Sequence, residues 1–176
     1  MNNNAPTSKL YRPRKIALDR SLALVREVEA FNVEYCAVLD AGLVEQWPDF
    51  FTEDGIYRIT ARENAELNLP VGLVYASGRD MMIDRAIAIS RTQMFAPRYN
   101  LHLVSNTRAT DELEDGTVVA QANFVLLQTL VEGPSTLHMA GVFYDRFTRR
   151  HNGLLLKERQ AIYDTTIIAN DLVYPL

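Results

Sequence analysis

The C-terminal half of the chain is a series of long strand-like segments joined by tight turns, and this feature constrains the fold most. Strand-like residue patterns run over about 99–110, 117–131, 135–149 and 154–165. The turns between them read Glu114-Asp115-Gly116, Glu132-Gly133-Pro134 and His151-Asn152-Gly153. Asn and Gly readily adopt the positive φ angles that tight hairpin turns require. Three consecutive hairpins predict an antiparallel meander, with strands longer than the usual 5–6 residues.

The N-terminal half has helical periodicity instead. One apolar stripe with a spacing of three or four residues consists of Leu18, Leu22, Val25, Val28, Phe31, Tyr35 and Leu39. It predicts a first helix, with Asp19 as a candidate N-cap and Gly42 as its end. A shorter helical piece, a strand over 55–61 and a third helix over about 80–95 follow. Residues 62–78 contain Pro70, Gly72 and Gly78 and are predicted to be irregular, as a functional flap or a partner surface.

Long strands twist and curl, and the two longer helices are available to fill the concave side of such a sheet. The predicted fold is therefore α+β, with N-terminal helices packed in one strongly curved, largely antiparallel sheet. Residues 1–17 are polar and contain two prolines, which predicts a flexible N-terminal arm. Residues 18–176 are predicted to form a single domain.

Composition excludes several kinds of site within this chain. The single cysteine, Cys36, and three histidines are too few for a structural zinc site or a Rieske centre. No glycine-rich phosphate loop is present. The net charge of −4 argues against nucleic-acid binding, and no apolar run approaches the ~20 residues of a membrane span. A lone thiol without a secretory signal pattern predicts a cytoplasmic protein.

Two uses of the long strands remain open at this point. His102 and His138, with Tyr57 or a nearby carboxylate, are candidates for an acid–base pocket, and less strongly for a metal site. Alternatively, the polar, aromatic and Arg side chains of these strands lie on an outer face that serves as a docking surface, because Tyr and Arg are common at interfaces. Histidines that point inward favour the first use, and histidines that point outward favour the second.

Several local phrases, in this order, carry a resemblance to a known family. They are Phe50-Phe51-Thr52-Glu53-Asp54-Gly55-Ile56-Tyr57, Asp84-Arg85 followed by Arg91, His102-Leu103-Val104-Ser105-Asn106, Asn123-Phe124, Ala140-Gly141 followed by Asp145, Tyr163-Asp164 and Ala169-Asn170. Over residues 20–170 the chain resembles the small (β) subunits of aromatic-ring-hydroxylating dioxygenases. That resemblance implies a cone-like, cystatin-like fold of the nuclear-transport-factor type, also seen in scytalone dehydratase and polyketide cyclases.

The resemblance also implies a division of labour between two chains. The large (α) oxygenase subunit is expected to hold the Rieske [2Fe–2S] cluster and the mononuclear non-haem iron. This chain is expected to hold no catalytic residue, metal or cofactor, and to build a hexamer of three large and three small chains around a three-fold axis. The interface candidates cluster before and along the first long strand: Arg98, Tyr99, His102, Asn106 and Arg108.

Two alternatives belong to other functional classes. A stand-alone isomerase, dehydratase or cyclase of the same fold would use His102 or His138 as its acid or base. A dimeric ligand-binding protein without catalysis is the third interpretation.

Overall fold

The computed structural model describes residues 10–92, 94–151, 153–168 and 171–176. The helices and strands, in chain order, are α1 (Leu18–Asp40), a 3-10 helix (Val44–Phe50), β1 (Phe51–Ala61), α2 (Arg62–Glu66), β2 (Val74–Ser77), α3 (Arg79–Ile87) with a π-helical turn (Ala88–Thr92), β3 (Arg98–Glu112), β4 (Val118–Leu130), β5 (Ser135–Arg150) and β6 (Gly153–Tyr163). The α+β class is confirmed.

The strands form one six-stranded sheet in the order β2-β1-β6-β5-β4-β3. The last four strands form the predicted antiparallel meander, with lengths of 15, 13, 16 and 11 residues. Strand β1 runs parallel to β6 and antiparallel to β2, so the sheet is largely antiparallel, as predicted. The strong curvature stays a prediction.

Helix α1 lies on one face of this sheet, which we call the inner face. The predicted stripe is buried from Val28 to Leu39, but Leu18 and Leu22 are each 55% exposed. The helix turns Ser21 toward the sheet instead, and its hydroxyl donates to the main-chain oxygen of Ala109 at 2.8 Å. Ala17 holds the N-cap position, and no side chain of the described residues caps the start of the helix, so the predicted capping by Asp19 is wrong.

The end of α1 is built as predicted. Gly42 has a φ of +73°, and its N–H donates to the oxygen of Leu39. The N–H of Leu43 donates to the oxygen of Val38 at 3.0 Å, which completes a Schellman motif. Only a residue that tolerates positive φ ends the helix in this way at low cost.

The prediction that residues 62–78 are irregular is wrong in part. This stretch contains α2 and the short strand β2, in which Tyr75 lies opposite Arg58 of β1. Gly72 lies so close to β1 that an added Cβ would be 2.5 Å from the oxygen of Ile59. A four-residue strand is too short for alternation to reveal it.

Helix α3 is shorter than predicted and ends at Ile87. Met82, Ala86 and Ile89 face the core, whereas Ile83 and Ile87 are each 38% exposed. The core lies between the helices and the inner face of the sheet. Residues 10–17 lie on the opposite, outer face, and the N–H of Lys15 donates to the oxygen of Thr110. The flexible arm over residues 1–17 stays a prediction.

Candidate functional site

An ion pair occupies the centre of the inner face. Arg159 and Asp145 lie opposite each other on β6 and β5. The Nε and Nη2 atoms of Arg159 donate to the Asp145 carboxylate at 2.9 and 2.7 Å, and Nη2 also donates to Asn32 of α1 at 2.6 Å. Burial raises the pKa of Asp145 above its ordinary value, and the Arg159 charge opposes that rise. Each group is the partner of the other, so neither is free for acid–base chemistry.

Aromatic rings enclose the same guanidinium. Its Cζ atom lies 4.3 Å from the ring centroid of Tyr35 and 4.1 Å from that of Phe143. Arg159 is completely buried. Cation–π contacts of this kind are strongest where water is excluded. The arrangement is a structural core element, which the sequence analysis missed because the register of β6 against β5 was unknown.

Residues 171–176 close the interior. The hydroxyl of Tyr35 donates to the main-chain oxygen of Leu176 at 2.8 Å and accepts from the Trp47 indole at 2.9 Å. The N–H of Leu176 donates to the Tyr57 hydroxyl at 2.8 Å, and burial raises the pKa of Tyr57 to about 12. Leu176 is completely buried. This segment therefore packs against the inward hydroxyl groups of Tyr35 and Tyr57 and closes the core beside them.

His102 points inward and is paired with Asp40 at the end of α1. Its Nδ1 atom lies 2.6 Å from the Asp40 carboxylate, and its backbone N–H donates to both carboxylate oxygens. A groove of about 890 Å³ runs between α1 and β3 beside this pair. His102 lines this groove, but its imidazole is 0% exposed, and the Nε2 atom is buried with no polar partner among the described residues. The His102–Asp40 pair connects the C-terminal end of α1 to strand β3.

His138 lies in a different environment. It is the extra residue of a bulge, since Leu126 pairs with Met139 and Leu127 with Leu137. Burial lowers the pKa of His138, as does the charge of Arg98, and the backbone of Asp171 partly offsets both effects. Both histidines thus point inward, as an enzyme would require, but each is enclosed with separate partners.

The remaining candidate catalytic groups are either paired or held in a form that disfavours catalysis. Burial raises the pKa of the Cys36 thiol to about 11, so a thiolate nucleophile is disfavoured. Asp164 pairs with Arg62 at 2.5 Å. Among the described residues, no group of three or more His, Cys, Asp or Glu side chains is placed to hold a metal ion. In the same ranges, no helix combines the length and apolar character needed to cross a membrane.

The structure separates the five interface candidates. Tyr99 is 71% exposed on the outer face, Asn106 is exposed at a bulge with a φ of +52°, and Arg108 donates to Gln121 at 3.2 Å and to the oxygen of Arg12 at 3.1 Å. The two others are enclosed. The Arg98 side chain is 2% exposed and pairs with Asp171 at 2.5 Å, and His102 is buried as described.

A bulge in β3 explains why strict two-residue alternation assigns some of its side chains to the wrong face of the sheet. Ser105 pairs with Asn123 and Arg108 with Gln121, so β3 has one more residue than β4 between these pairs. The extra residue shifts the side-chain period. His102 therefore faces inward and Arg108 outward, although two-residue alternation predicts that they share a face.

Comparison with known proteins agrees with this architecture. The SnoaL-like domain family matches residues 20–160. The small subunit of anthranilate 1,2-dioxygenase from Burkholderia cepacia is 33% identical, with 85% of this chain and 92% of that protein covered. Subunit β1 of the terminal oxygenase component of terephthalate 1,2-dioxygenase from Comamonas sp is 30% identical, with 85% and 97% covered.

Solved structures give the same assignment. A protein from Novosphingobium aromaticivorans, described as the β subunit of an aromatic-ring-hydroxylating dioxygenase, superimposes with a TM-score of 0.79 and 33% identity, over 88% of this chain and 98% of that one. ActVI-ORFA from Streptomyces coelicolor shares the fold, with a TM-score of 0.64 and 21% identity over 81% and 98% of the two chains. The chain thus belongs to the SnoaL-like domain family and, within it, to the small (β) subunits of aromatic-ring dioxygenases.

Proposed function

We propose that this protein is a non-catalytic structural subunit of the terminal oxygenase component of a Rieske-type aromatic-ring-hydroxylating dioxygenase. It supports assembly with an iron-bearing large (α) subunit in the degradation of aromatic compounds. Anthranilate and terephthalate appear in the names of its relatives, which supports an aromatic acid as the substrate class.

The filled interior carries this proposal. The centre of the inner face is occupied by the Arg159–Asp145 pair, and Leu176 closes the space beside it. A stand-alone isomerase, dehydratase or cyclase would need His102 or His138 open to a substrate. Both rings are enclosed, with a buried Nε2 atom that contacts no polar group among the described residues.

The metals belong to the partner in this proposal. A Rieske cluster needs two Cys and two His ligands, and this chain has one cysteine. The large subunit therefore holds both the Rieske [2Fe–2S] cluster and the mononuclear non-haem iron. The assembly contains three large and three small chains around a three-fold axis. The cytoplasm is the proposed compartment, because the lone buried thiol of Cys36 suits a reducing environment.

The five interface candidates have two kinds of role in this proposal. Tyr99, Asn106 and Arg108 are exposed and contact the large subunit directly. Arg98 and His102 support β3 from the inner side of the sheet, through their pairs with Asp171 and Asp40. Residues 18–176 act as one domain, and residues 1–17 act as an arm.

The test is a pull-down of the tagged chain from its source cells, with an absorption spectrum of the eluate. We expect a brown eluate that contains a larger iron–sulfur protein at near one-to-one stoichiometry. A colourless eluate that contains only this chain would contradict the proposal, and His102 and His138 would then be the residues to substitute.

A further inference from the structure

The outer face of the sheet has two halves with different chemistry. In one half, the chain's own residues 10–17 contact polar side chains and leave Arg108 exposed beside them. The Arg108 guanidinium lies 5.6 Å from the Tyr11 ring centroid, and the Arg12 guanidinium lies 5.7 Å from that of Tyr144. The other half lies at the end formed by the β3–β4 and β4–β5 pairs. Leu10 and Tyr11 border it only at Asn123 and Val142.

We call this second half the apolar outer patch. The strand register aligns its outward side chains in four rows across β3, β4 and β5. The rows are Tyr99, Thr129 and Ser135; Leu101, Leu127 and Leu137; Leu103, Val125 and Ala140; and Ser105, Asn123 and Val142. None of these twelve residues is charged. With residues of one face about 6.6 Å apart along a strand, the four rows span about 20 Å.

The exposure of the patch is unusual for a sheet surface. Leu101 and Leu103 are each 50% exposed, Leu137 is 58% exposed and Tyr99 is 71% exposed. The inward side chains of the same strands, among them His102, Leu126 and Met139, are buried by contrast. The water-facing side of an antiparallel sheet is normally polar, so a second face with this many exposed apolar side chains is typical of a sheet that is covered on both sides. Something therefore covers this patch in the working protein.

The chain's own N-terminal residues are a poor cover. Residues 1–9 read MNNNAPTSK and contain one large apolar side chain, Met1. Such a segment is too polar to replace water over three leucines and a tyrosine. A surface of another polypeptide with matching apolar side chains is the better cover.

We infer that the apolar outer patch is the surface on which the large oxygenase subunit docks, through an uncharged, apolar surface of its own. This inference rests on the proposed function. The relatives are named small subunit or subunit β of an oxygenase component, so a different chain completes their assembly. Permanent hetero-complexes have interfaces that resemble a divided core, and Tyr is enriched at their centres.

The test replaces two leucines in one row. The double variant Leu101→Lys/Leu137→Glu places opposite charges on either side of Leu127 and leaves the net charge unchanged. The matched control, Leu18→Glu/Leu22→Lys, alters two leucines of α1 that are each 55% exposed and orders the charges favourably for an i,i+4 helix pair. Both variants change exposed positions, so thermal unfolding should stay near that of the wild type.

Binding is measured by titration with the large subunit that co-purifies with the wild-type chain. We expect at least about thirtyfold weaker binding for the patch variant, as for loss of an interface hot spot, and wild-type binding for the control. If the double variant folds poorly, the uncharged variant Leu103→Gln replaces it in the same titration. We expect Leu103→Gln to weaken binding as well.

Three results would overturn the inference. The patch variant could bind the large subunit with wild-type affinity. It could lose only self-association, which would assign the patch to a second copy of this chain. The control could lose binding to the same extent, which would show that the loss is not specific to the patch. A wild-type chain that binds no large subunit would instead refute the proposed function itself.

Discussion

At the scale of single residues, Arg159 is the most constrained side chain of this protein. It is completely buried, pairs with Asp145, donates to Asn32 and contacts the faces of two aromatic rings. A buried charge is costly unless it is paired, so each partner depends on the other. The pair therefore serves the stability and specificity of the core.

Asp145→Asn leaves the Arg159 charge without a buried counter-charge. We expect the free energy of unfolding to fall by about 3–5 kcal/mol, the usual cost of breaking a buried pair. Asp164→Asn removes the exposed partner of Arg62 and should cost at most about 1 kcal/mol. Urea unfolding of both variants measures the difference, and equal losses would contradict the structural role of Arg159.

His138 predicts a pH dependence. Burial lowers its pKa below the ordinary value of about 6.5. As the pH falls through that value, the unfolded chain takes up a proton that the folded chain resists, so stability is lost on the acidic side. His138→Gln should therefore flatten the decline in unfolding free energy between about pH 7 and pH 5. Parallel profiles for variant and wild type would refute this.

At the scale of elements, bulges decide which side chains meet. The bulge between Ser105 and Arg108 reverses the alternation of β3 until a second irregularity between Ala109 and Asp111, and the bulge at His138 reverses the alternation of β5. Without them, Arg108 would point into the core with His102. Close packing of strands adds a second constraint, since Gly141 of β5 faces the backbone of β6.

Gly141→Ala would place a Cβ against the main-chain oxygen of Ile162 and 2.7 Å from the Cα of Tyr163. Backbone atoms move only with the strand, so we expect a loss of at least about 3 kcal/mol in unfolding free energy. Gly42→Ala is the comparison, because its Cβ would meet open space and only the positive φ is strained. That variant should lose about 1 kcal/mol. Similar melting temperatures for the two would contradict the strand packing described.

At the scale of the whole molecule, the two faces of the sheet have different tasks. The inner face, helices α1 and α3 and residues 171–176 form a filled core around the buried ion pair. The outer face is divided between the chain's own residues 10–17 and the apolar outer patch. A filled interior and an uncovered apolar face together match a subunit that builds an assembly.

Leu176→Ala tests the filled interior. The side chain is completely buried, so its truncation should lower the unfolding free energy by about 2–5 kcal/mol through lost burial and a new cavity. Ile167→Ala, at an 83% exposed position in the preceding segment, should change it by no more than about 0.5 kcal/mol. A neutral Leu176→Ala variant would mean that residues 171–176 do not close the core.

The sequence by itself determined the α+β class, the antiparallel meander, helix α1 with its end at Gly42, and the family. These features depend on local patterns: three turn sequences, one helical stripe and a series of short phrases. Composition alone also decided that a Rieske cluster does not fit in this chain, because ligand residues are too few.

Only the tertiary structure decided how the side chains combine. The Arg159–Asp145 pair, the enclosure of both histidines and the uncharged rows of the apolar outer patch all depend on strand register and bulges. A shift of one residue moves every side chain to the other face, and no local signal specifies that shift. Burial of residues 171–176 likewise depends on contacts with Tyr35 and Tyr57, which are distant in sequence.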